Sequence, residues 1–258
     1  MADERRMKIE AKVSGHEKVR DKDYLDVEGE DVEGVDFSGL KLRGFSGIGS
    51  RFTRCSLEKV KIGDAAFGAG GEQSLYVDCS FDGARIEAAT PGNARFECCS
   101  FRDVKLKNWF CWELEFVDCV FTGRGDKLLF NGVPDERRHK AIGRSVNEYR
   151  GNDFSGMDLR DCAFRRGIDL DAQTLPSGAG HLVLRDARAA VVAARREVSG
   201  WEDDERRVGA LQLLEIWMED VTNGQDQLYL RSDDYARIYD KGMLDDLVGL
   251  LAAGDARR

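Results

Sequence analysis

Glu113 and Glu115 are two carboxylates one residue apart, and paired carboxylates can serve as a general acid and a general base. No serine or histidine set suited to a catalytic triad accompanies them. The chain also lacks the phosphate-binding pattern G-x-x-x-x-G-K-S/T and the nucleophile elbow G-x-S-x-G, and the glycines of 44–49 do not match a dinucleotide fingerprint. We therefore expect both glutamates to face outward, and we expect that the protein is not an enzyme.

The other residues that could bind a metal or react are seven cysteines and three histidines. His16, His139 and His181 are scattered, and no Cys-x-x-Cys pair occurs, so we predict no zinc site. An odd number of cysteines, with a charged N-terminus and no secretory signal, argues against a disulfide framework. We predict a cytoplasmic protein without metal, cofactor or catalytic residue.

A five-residue repeat over residues 32–121 positions most of these side chains. It is clearest from Ala94 to Leu106, where a bulky apolar residue recurs at every fifth place and a small or apolar residue stands two places earlier. The stretch Gly68–Glu72 shifts the register by four residues. The central positions are Val32, Phe37, Leu42, Gly47, Phe52, Leu57, Ile62, Phe67, Tyr76, Phe81, Ile86, Pro91, Phe96, Phe101, Leu106, Cys111, Phe116 and Phe121.

A strict period of five fits neither an α-helix nor a flat strand, because their periods are 3.6 and 2 residues. A chain that turns a corner every five residues keeps all central positions inside, and four corners make a coil of about 20 residues. Coils stack about 4.8 Å apart, which predicts internal columns of buried side chains. The predicted core ladder comprises Phe37, Phe52, Leu57, Phe81, Phe96, Phe101, Phe116 and Phe121.

In this pattern the chain resembles the pentapeptide-repeat family, whose loose consensus is A-(D/N)-L-x-x. The stretches 35–39 (VDFSG), 79–83 (CSFDG) and 157–161 (MDLRD) match it. The resemblance implies a mainly β fold, a right-handed quadrilateral β-helix. Gly47, Pro91 and Trp109 depart from the pattern, so we expect distortion at those corners.

The repeat also predicts where the cysteines lie. Cys55, Cys79, Cys99, Cys119 and Cys162 stand two places before a central position, where only small side chains fit, and Cys111 takes a central position itself. We interpret these six as small buried apolar residues rather than as redox or metal sites.

After Phe121 the repeat fades, and residues 135–149 have the spacing of a helix with Ile142, Val146 and Tyr149 on one face. The opposite face is basic and is predicted to be exposed. It is either a solvated face or a contact for a partner or a phosphate. Its residues are Arg137, Arg138, His139, Lys140 and Arg144.

Three segments are predicted. Residues 1–31 cover one end of the solenoid, with a strand over 7–13, and residues 32–178 form the β-helix with a helical insertion at about 134–150. Residues 179–258 form an α-helical segment, with helices over 184–198 and 203–221, a short helix that Ser232 caps, and another over 244–251. These helices either cover the open end of the solenoid or form a small companion domain, or they provide a surface for dimerisation or for a partner.

The net charge of −9 disfavours direct binding to nucleic acid, and no apolar run is long enough to span a membrane. We predict a non-catalytic module or scaffold that binds a protein partner. The family resemblance implies an alternative: some members are acidic rods that mimic duplex DNA and protect type II topoisomerases such as DNA gyrase from quinolone-type poisons. The stretch Gly68, Ala69, Gly70, Gly71 and Glu72 is the counterpart of a partner-contact loop in such proteins. Residues 31–130, however, carry 15 acids against 13 bases, a poor imitation of a phosphate rod.

Overall fold

The computed structural model describes residues 6–8, 24–88 and 90–256, and the remainder of the predicted strand over 7–13 lies outside these ranges. The chain divides into two compact units. The first contains the described residues up to Cys162 together with Asp171–Pro176, and the second contains Ala163–Leu170 and the described residues from Ser177 onward.

The structure is mainly β, with 18 strands, four α-helices and one 3-10 helix among the described residues. The strands are β1 (Arg6–Lys8), β2 (Tyr24–Glu28), β3 (Asp31–Glu33), β4 (Lys41–Ile48), β5 (Arg51–Thr53), β6 (Lys61–Ala66), β7 (Ser74–Val77), β8 (Arg85–Glu87), β9 (Ala94–Glu97), β10 (Ser100–Cys111), β11 (Leu114–Val117), β12 (Val120–Asn131), β13 (Tyr149–Arg150), β14 (Asn152–Arg160), β15 (Ala163–Arg165), β16 (Gln173–Thr174), β17 (His181–Leu184) and β18 (Leu228–Arg231). The helices are α1 (His139–Ile142), α2 (Ala187–Val198), α3 (Asp204–Thr222), α4 (Lys241–Asp255) and the 3-10 helix Ser232–Asp234.

The first unit is the β-helix that the repeat predicts. One parallel sheet runs in the order β1, β2, β4, β6, β8, β10, β12, β14, β16, and a second runs β13, β11, β9, β7, β5, β3. In the regular coils residues in register are 20 apart, as Phe96 and Phe116 are, or 24 apart across the Gly68–Glu72 shift, as Phe52 and Tyr76 are. A bulge after Phe101 reduces the separation between β10 and β12 to 19, and the inserted segment raises that between β12 and β14 to 33 or 34. Strand β2 pairs with β4, so residues 24–28 are already part of the first coil rather than a separate cover.

Aromatic rings stack in two columns inside the coils. In one, the rings of Phe81 and Phe101 lie 4.6 Å apart with planes inclined by 5°, and Phe121 continues the stack at 4.8 Å from Phe101. In the other, Tyr76 lies 4.7 Å from Phe52 and 4.6 Å from Phe96. All of these rings are fully buried, so each coil places its rings against those of the next.

A corner that departs from the repeat, Gly47, makes room for a polar group in the core. The Tyr76 hydroxyl donates a hydrogen bond to the Phe67 carbonyl at 2.9 Å, because a fully buried hydroxyl needs a partner. A Cβ on Gly47 would lie 2.6 Å from that hydroxyl and 2.8 Å from the Phe67 carbonyl oxygen. At the Trp109 corner the indole is also fully buried and donates to the Ile86 carbonyl at 3.3 Å.

The cysteines of the repeat form a buried column beside the rings. The Cys99 thiol donates to the Tyr76 carbonyl of the preceding coil at 3.3 Å, and Cys119 donates likewise to Phe96 at 3.5 Å. Burial raises the pKa of the Cys99 and Cys111 thiols, which keeps them neutral. Cys98 is exposed, Cys162 is half-buried, and all seven cysteines are free thiols.

The second unit is a small α/β assembly in which β17 and β18 pair antiparallel. Its core combines residues of these strands with α2, α3 and α4, including Leu184, Val191, Leu214, Trp217 and Leu247. Asp186, Asp203 and Asp240 cap the three helices by accepting from the backbone N–H three residues later.

Two details of this unit differ from the sequence prediction. The helix expected from residue 184 begins at Ala187, because Leu184 pairs with Leu228 in the antiparallel pair of β17 and β18. In place of a helix capped by Ser232, the structure has a single 3-10 turn, Ser232–Asp234, in which Ser232 is itself the first residue and no side chain caps the end. In the part of the chain that the structure describes, no helix has the length and apolar character that a membrane span requires.

Candidate interaction surface

The glycine-rich loop leaves the β-helix at a point where only glycine fits. Gly68 and Gly92 form a parallel bridge, and a Cβ on Gly68 would lie 1.9 Å from the Asn93 carbonyl oxygen. Beyond this crossing the chain bulges outward, and Gly70, Gly71 and Glu72 are exposed. The longer coil is therefore accommodated by a protruding loop, while the register of the core is kept.

The second interruption of the repeat is an inserted segment, residues 132–148, between β12 and β13. The predicted helix over 135–149 is wrong: only His139–Ile142 is helical. Gly143 has a left-handed conformation, with φ of 72°, and its N–H closes the helix on the His139 carbonyl. Tyr149 belongs to β13, where it pairs with Phe116, so the spacing of apolar residues reflects a strand at one end.

The basic residues of this segment are not one exposed face. Arg144 is largely covered and donates from Nη1 to the Asn93 side-chain oxygen at 2.6 Å and from Nη2 to the Glu113 carbonyl. Arg138 is half-buried, and its Nε lies 3.2 Å from Glu113 Oε1. His139 is also half-buried, with Nε2 at 3.0 Å from the Pro134 carbonyl. Arg137 and Lys140 are exposed as predicted.

Hydrogen bonds join the loop and the inserted segment. Arg138 donates from Nη2 to the Gly70 carbonyl at 2.8 Å. Asn93 donates from Nδ2 to the Gly71 carbonyl at 2.7 Å while it accepts from Arg144. The two elements that the sequence singled out as separate contact candidates thus form one surface.

Glu113 and Glu115 lie beneath this surface, which corrects the expectation that they face outward. They are 4% and 5% exposed. Glu115 accepts from Gln73 Nε2 at 2.7 Å and from the Glu148 N–H at 2.8 Å, and the Arg95 guanidinium lies at 3.3 Å. Residues from three distant parts of the chain, around 73, 95 and 138–148, therefore converge on the pair.

The electrostatics of the pair are those of a structural ion cluster. Burial raises the pKa of Glu113, while the nearby Arg138 opposes the rise. Burial lowers the pKa of Arg144, with Glu115 opposing. Each carboxylate faces a guanidinium, and no group of three or more metal-binding side chains occurs among the residues described. The ion pairs of the two carboxylates tie the inserted segment to the β-helix.

Several apolar and charged side chains on the loop and the inserted segment, and near them, are exposed to solvent. Val146 is 63% exposed and Trp112 is 37% exposed, and the two are brought together because Asn147 donates from Nδ2 to the Trp112 carbonyl at 2.7 Å. We define the insertion surface as the exposed residues Gly70, Gly71, Glu72, Trp112, Arg137, Lys140 and Val146. Of these residues, Trp112 and Arg137 belong to types in which protein interfaces are enriched.

The chain was compared with family models, curated proteins and solved structures, and similarity was found to solved structures. No family model matches the chain, and no curated protein matches it. Two solved structures of QnrB1, a plasmid-mediated fluoroquinolone resistance protein, are similar. The trypsin-treated form is 18% identical and covers 61% of this chain and 86% of its own, and the full-length form is 15% identical and covers 59% and 82%, each with a TM-score of 0.19. The register and the strand pairing of the chain itself are those of a β-helix of the pentapeptide-repeat kind.

Proposed function

We propose that this protein is a non-catalytic interaction module whose β-helix presents the insertion surface to a protein partner. The observation that carries the proposal is that both interruptions of the repeat are tied to each other, directly by Arg138–Gly70 and through Asn93, which bonds both Arg144 and Gly71. A surface whose loops are held before binding loses less conformational entropy on association. Trp112 supplies the kind of aromatic anchor that often dominates binding energy.

Capture of partners from extracts of the native host tests this proposal. The immobilised protein is compared with a variant carrying Trp112→Ala, Arg137→Glu and Val146→Asp, all partly or fully exposed positions. The matched control carries Arg51→Glu and Lys59→Glu, exposed on other parts of the solenoid. We expect a specific partner that the first variant loses and the control keeps. The proposal would be contradicted if the control variant lost the partner as well, or if the unaltered protein captured no partner.

The second candidate function is protection of a type II topoisomerase by mimicry of duplex DNA. A mimic needs a continuous negative face to compete for a surface that neutralises phosphates. The near balance of 15 acids and 13 bases over residues 31–130 disfavours it, although the whole chain carries −9. Supercoiling by DNA gyrase, with and without a quinolone, separates the two. Rescue of gyrase from the drug would make topoisomerase protection the better proposal.

A further inference from the structure

Five cations lie one above another on one face of the β-helix. The strand register pairs Lys41 with Lys61, Lys61 with Arg85, Arg85 with Lys105, and Lys105 with Arg124. All five are exposed, and we call them the cationic column. Neighbouring strands are about 4.8 Å apart, so the column extends over roughly 19 Å.

The middle of the column lacks counter-charges. Lys61, Arg85 and Lys105 form no ion pair with any residue that the structure describes, whereas Arg124 pairs with Asp126 at 2.6 Å. Like charges placed directly opposite on adjacent strands repel and destabilise a sheet. A repeated arrangement of this kind is electrostatically unfavourable in the isolated protein and becomes favourable when an anion lies along it.

The column lines a shallow groove of about 680 Å³. Seven of the lining residues are Lys or Arg and only two, Glu87 and Asp126, are acidic. One of these acids, Glu87, lies 3.4 Å from Lys107 and is partly neutralised by it. The groove is therefore a positive channel on a protein whose net charge is −9.

We infer that the cationic column is a docking site for an extended acidic segment of a protein partner. Side chains on one face of an extended chain repeat about every 6.8 Å, so roughly seven residues span the column and offer four carboxylates to five cations. Lys and Arg side chains are long enough to absorb the difference between the two spacings. The inference goes beyond the proposed function, because the cationic column shares no residue with the insertion surface.

An acidic peptide fits this groove better than a nucleic acid does. The described lining contains no aromatic side chain on which successive bases could stack, and no Asn or Gln that could read an adenine edge. A nucleic acid also extends beyond the column and meets the negative remainder of the protein, which repels phosphates. A short acidic segment can be confined to the positive channel.

Fluorescence anisotropy with a labelled peptide of about ten glutamates tests the inference on the full chain. The column variant carries Lys61→Gln, Arg85→Gln and Lys105→Gln. The control variant carries Arg51→Gln, Lys59→Gln and Lys127→Gln, and loses the same charge from exposed positions outside the groove. We expect binding that weakens as salt rises, a loss of about tenfold in the column variant and a change of less than about twofold in the control.

Three results would overturn the inference. Equal losses in both variants would show diffuse attraction, and absence of binding at low salt would show that the column holds no acidic chain. Tighter binding of a labelled oligonucleotide than of the peptide, lost in the column variant, would make the groove a nucleic-acid site. The capture experiment distinguishes this inference from the proposed function. If the column variant still captures the host partner, the proposed function stands without the docking site. If the protein binds the peptide but captures no host partner, only the docking site stands.

Discussion

Arg144 donates a hydrogen bond to the side-chain oxygen of Asn93 at 2.6 Å across 51 residues of sequence. Asn93 lies beside the bridge at which the glycine-rich loop leaves the coil, and Arg144 lies in the segment inserted after β12. One guanidinium therefore fixes two irregular elements to a regular scaffold. This linkage explains how a repeat fold, whose faces are otherwise uniform, acquires a surface with a particular shape.

Arg144→Ala is expected to lower the free energy of unfolding by about 2–3 kcal/mol, because it leaves the Asn93 oxygen and the buried Glu115 carboxylate short of a partner. Urea unfolding measures the loss, and limited proteolysis should cut residues 132–148 faster. The exposed Arg137→Ala is the control and should change stability by less than about 0.5 kcal/mol. Equal losses would mean that Arg144 does not hold the surface.

Phe101→Ala is expected to cost about 3–5 kcal/mol, because its ring stacks between Phe81 and Phe121 with no exposure to solvent. Phe101→Asp should prevent folding, since it buries an unpaired charge. Phe110, in the same strand and 37% exposed, supplies the matched substitution Phe110→Ala, with a loss of less than about 1 kcal/mol. Thermal unfolding of the three variants measures these losses of stability. A folded Phe101→Asp with unchanged melting would refute the register.

The sequence predicts the coils because each unit of the repeat carries its own local signal. The residue at every central position points into the core. Because the coils have equal length, stacking them places Phe81 against Phe101. The insertion could not be predicted in the same way. Ile142 and Val146 have helical spacing, but contacts of Arg138 and Arg144 with distant residues decide the path of the chain.

Burial of Glu113 and Glu115 also depends on such distant contacts. Their positions in the repeat normally face outward, and it is the segment returning about 30 residues later that covers them. The excess of Arg and Lys in residues 137–144 was the one available signal. The sequence alone does not reveal the cationic column, because neighbouring members are 19, 20 or 24 residues apart and the total charge of the region is nearly balanced.

A double-mutant cycle tests the fit between Gly47 and Tyr76. Gly47→Ala brings a Cβ to 2.6 Å from the Tyr76 hydroxyl and should cost about 1–3 kcal/mol. Tyr76→Phe removes the hydrogen bond to the Phe67 carbonyl and should cost about 1 kcal/mol. The double variant should lose less than the sum, because the ring no longer carries the clashing oxygen. Additive losses would show that the close contact with the Phe67 carbonyl dominates instead.

Acid stability should report the ion pairs of Glu148. Hydrogen bonds from Arg95 and then Arg150 lower the pKa of this carboxyl below its ordinary value. Its contribution to stability is therefore present above the pKa of about 4.3 in the unfolded chain and is lost as pH falls through the lower pKa of the folded state. Glu148→Gln should cost about 0.5–1 kcal/mol at neutral pH, since the site is partly solvated.

Urea titrations from pH 7 to pH 3 measure this effect. The stability of Glu148→Gln should fall less steeply than that of the wild type between roughly pH 5 and pH 3. The exposed Glu136→Gln serves as the control, and its profile should parallel that of the wild type. Parallel profiles for all three proteins would show that the Arg95–Glu148 pair contributes nothing to acid stability.

Thiol reactivity tests the cysteine column with a single reagent. Cys98 is the exposed thiol, whereas its neighbour Cys99 is 2% exposed and donates to the Tyr76 carbonyl. Ellman's reagent should therefore modify about one thiol rapidly in the folded protein and all seven in denaturant. Partial burial and the carboxylates of Asp78 and Asp118 raise the pKa of Cys98, so the rate of this phase should increase as pH rises.

Cys98→Ser separates this interpretation from partial opening of the coils. The variant should lose the rapid phase and keep the stability of the wild type, because the side chain points to solvent and packs in no column. The half-buried Cys162 should react more slowly than Cys98. A rapid phase that survives in Cys98→Ser would mean that Cys55, Cys79, Cys99 or Cys119 becomes accessible in the native state. The coils would then open locally at a free energy well below that of global unfolding.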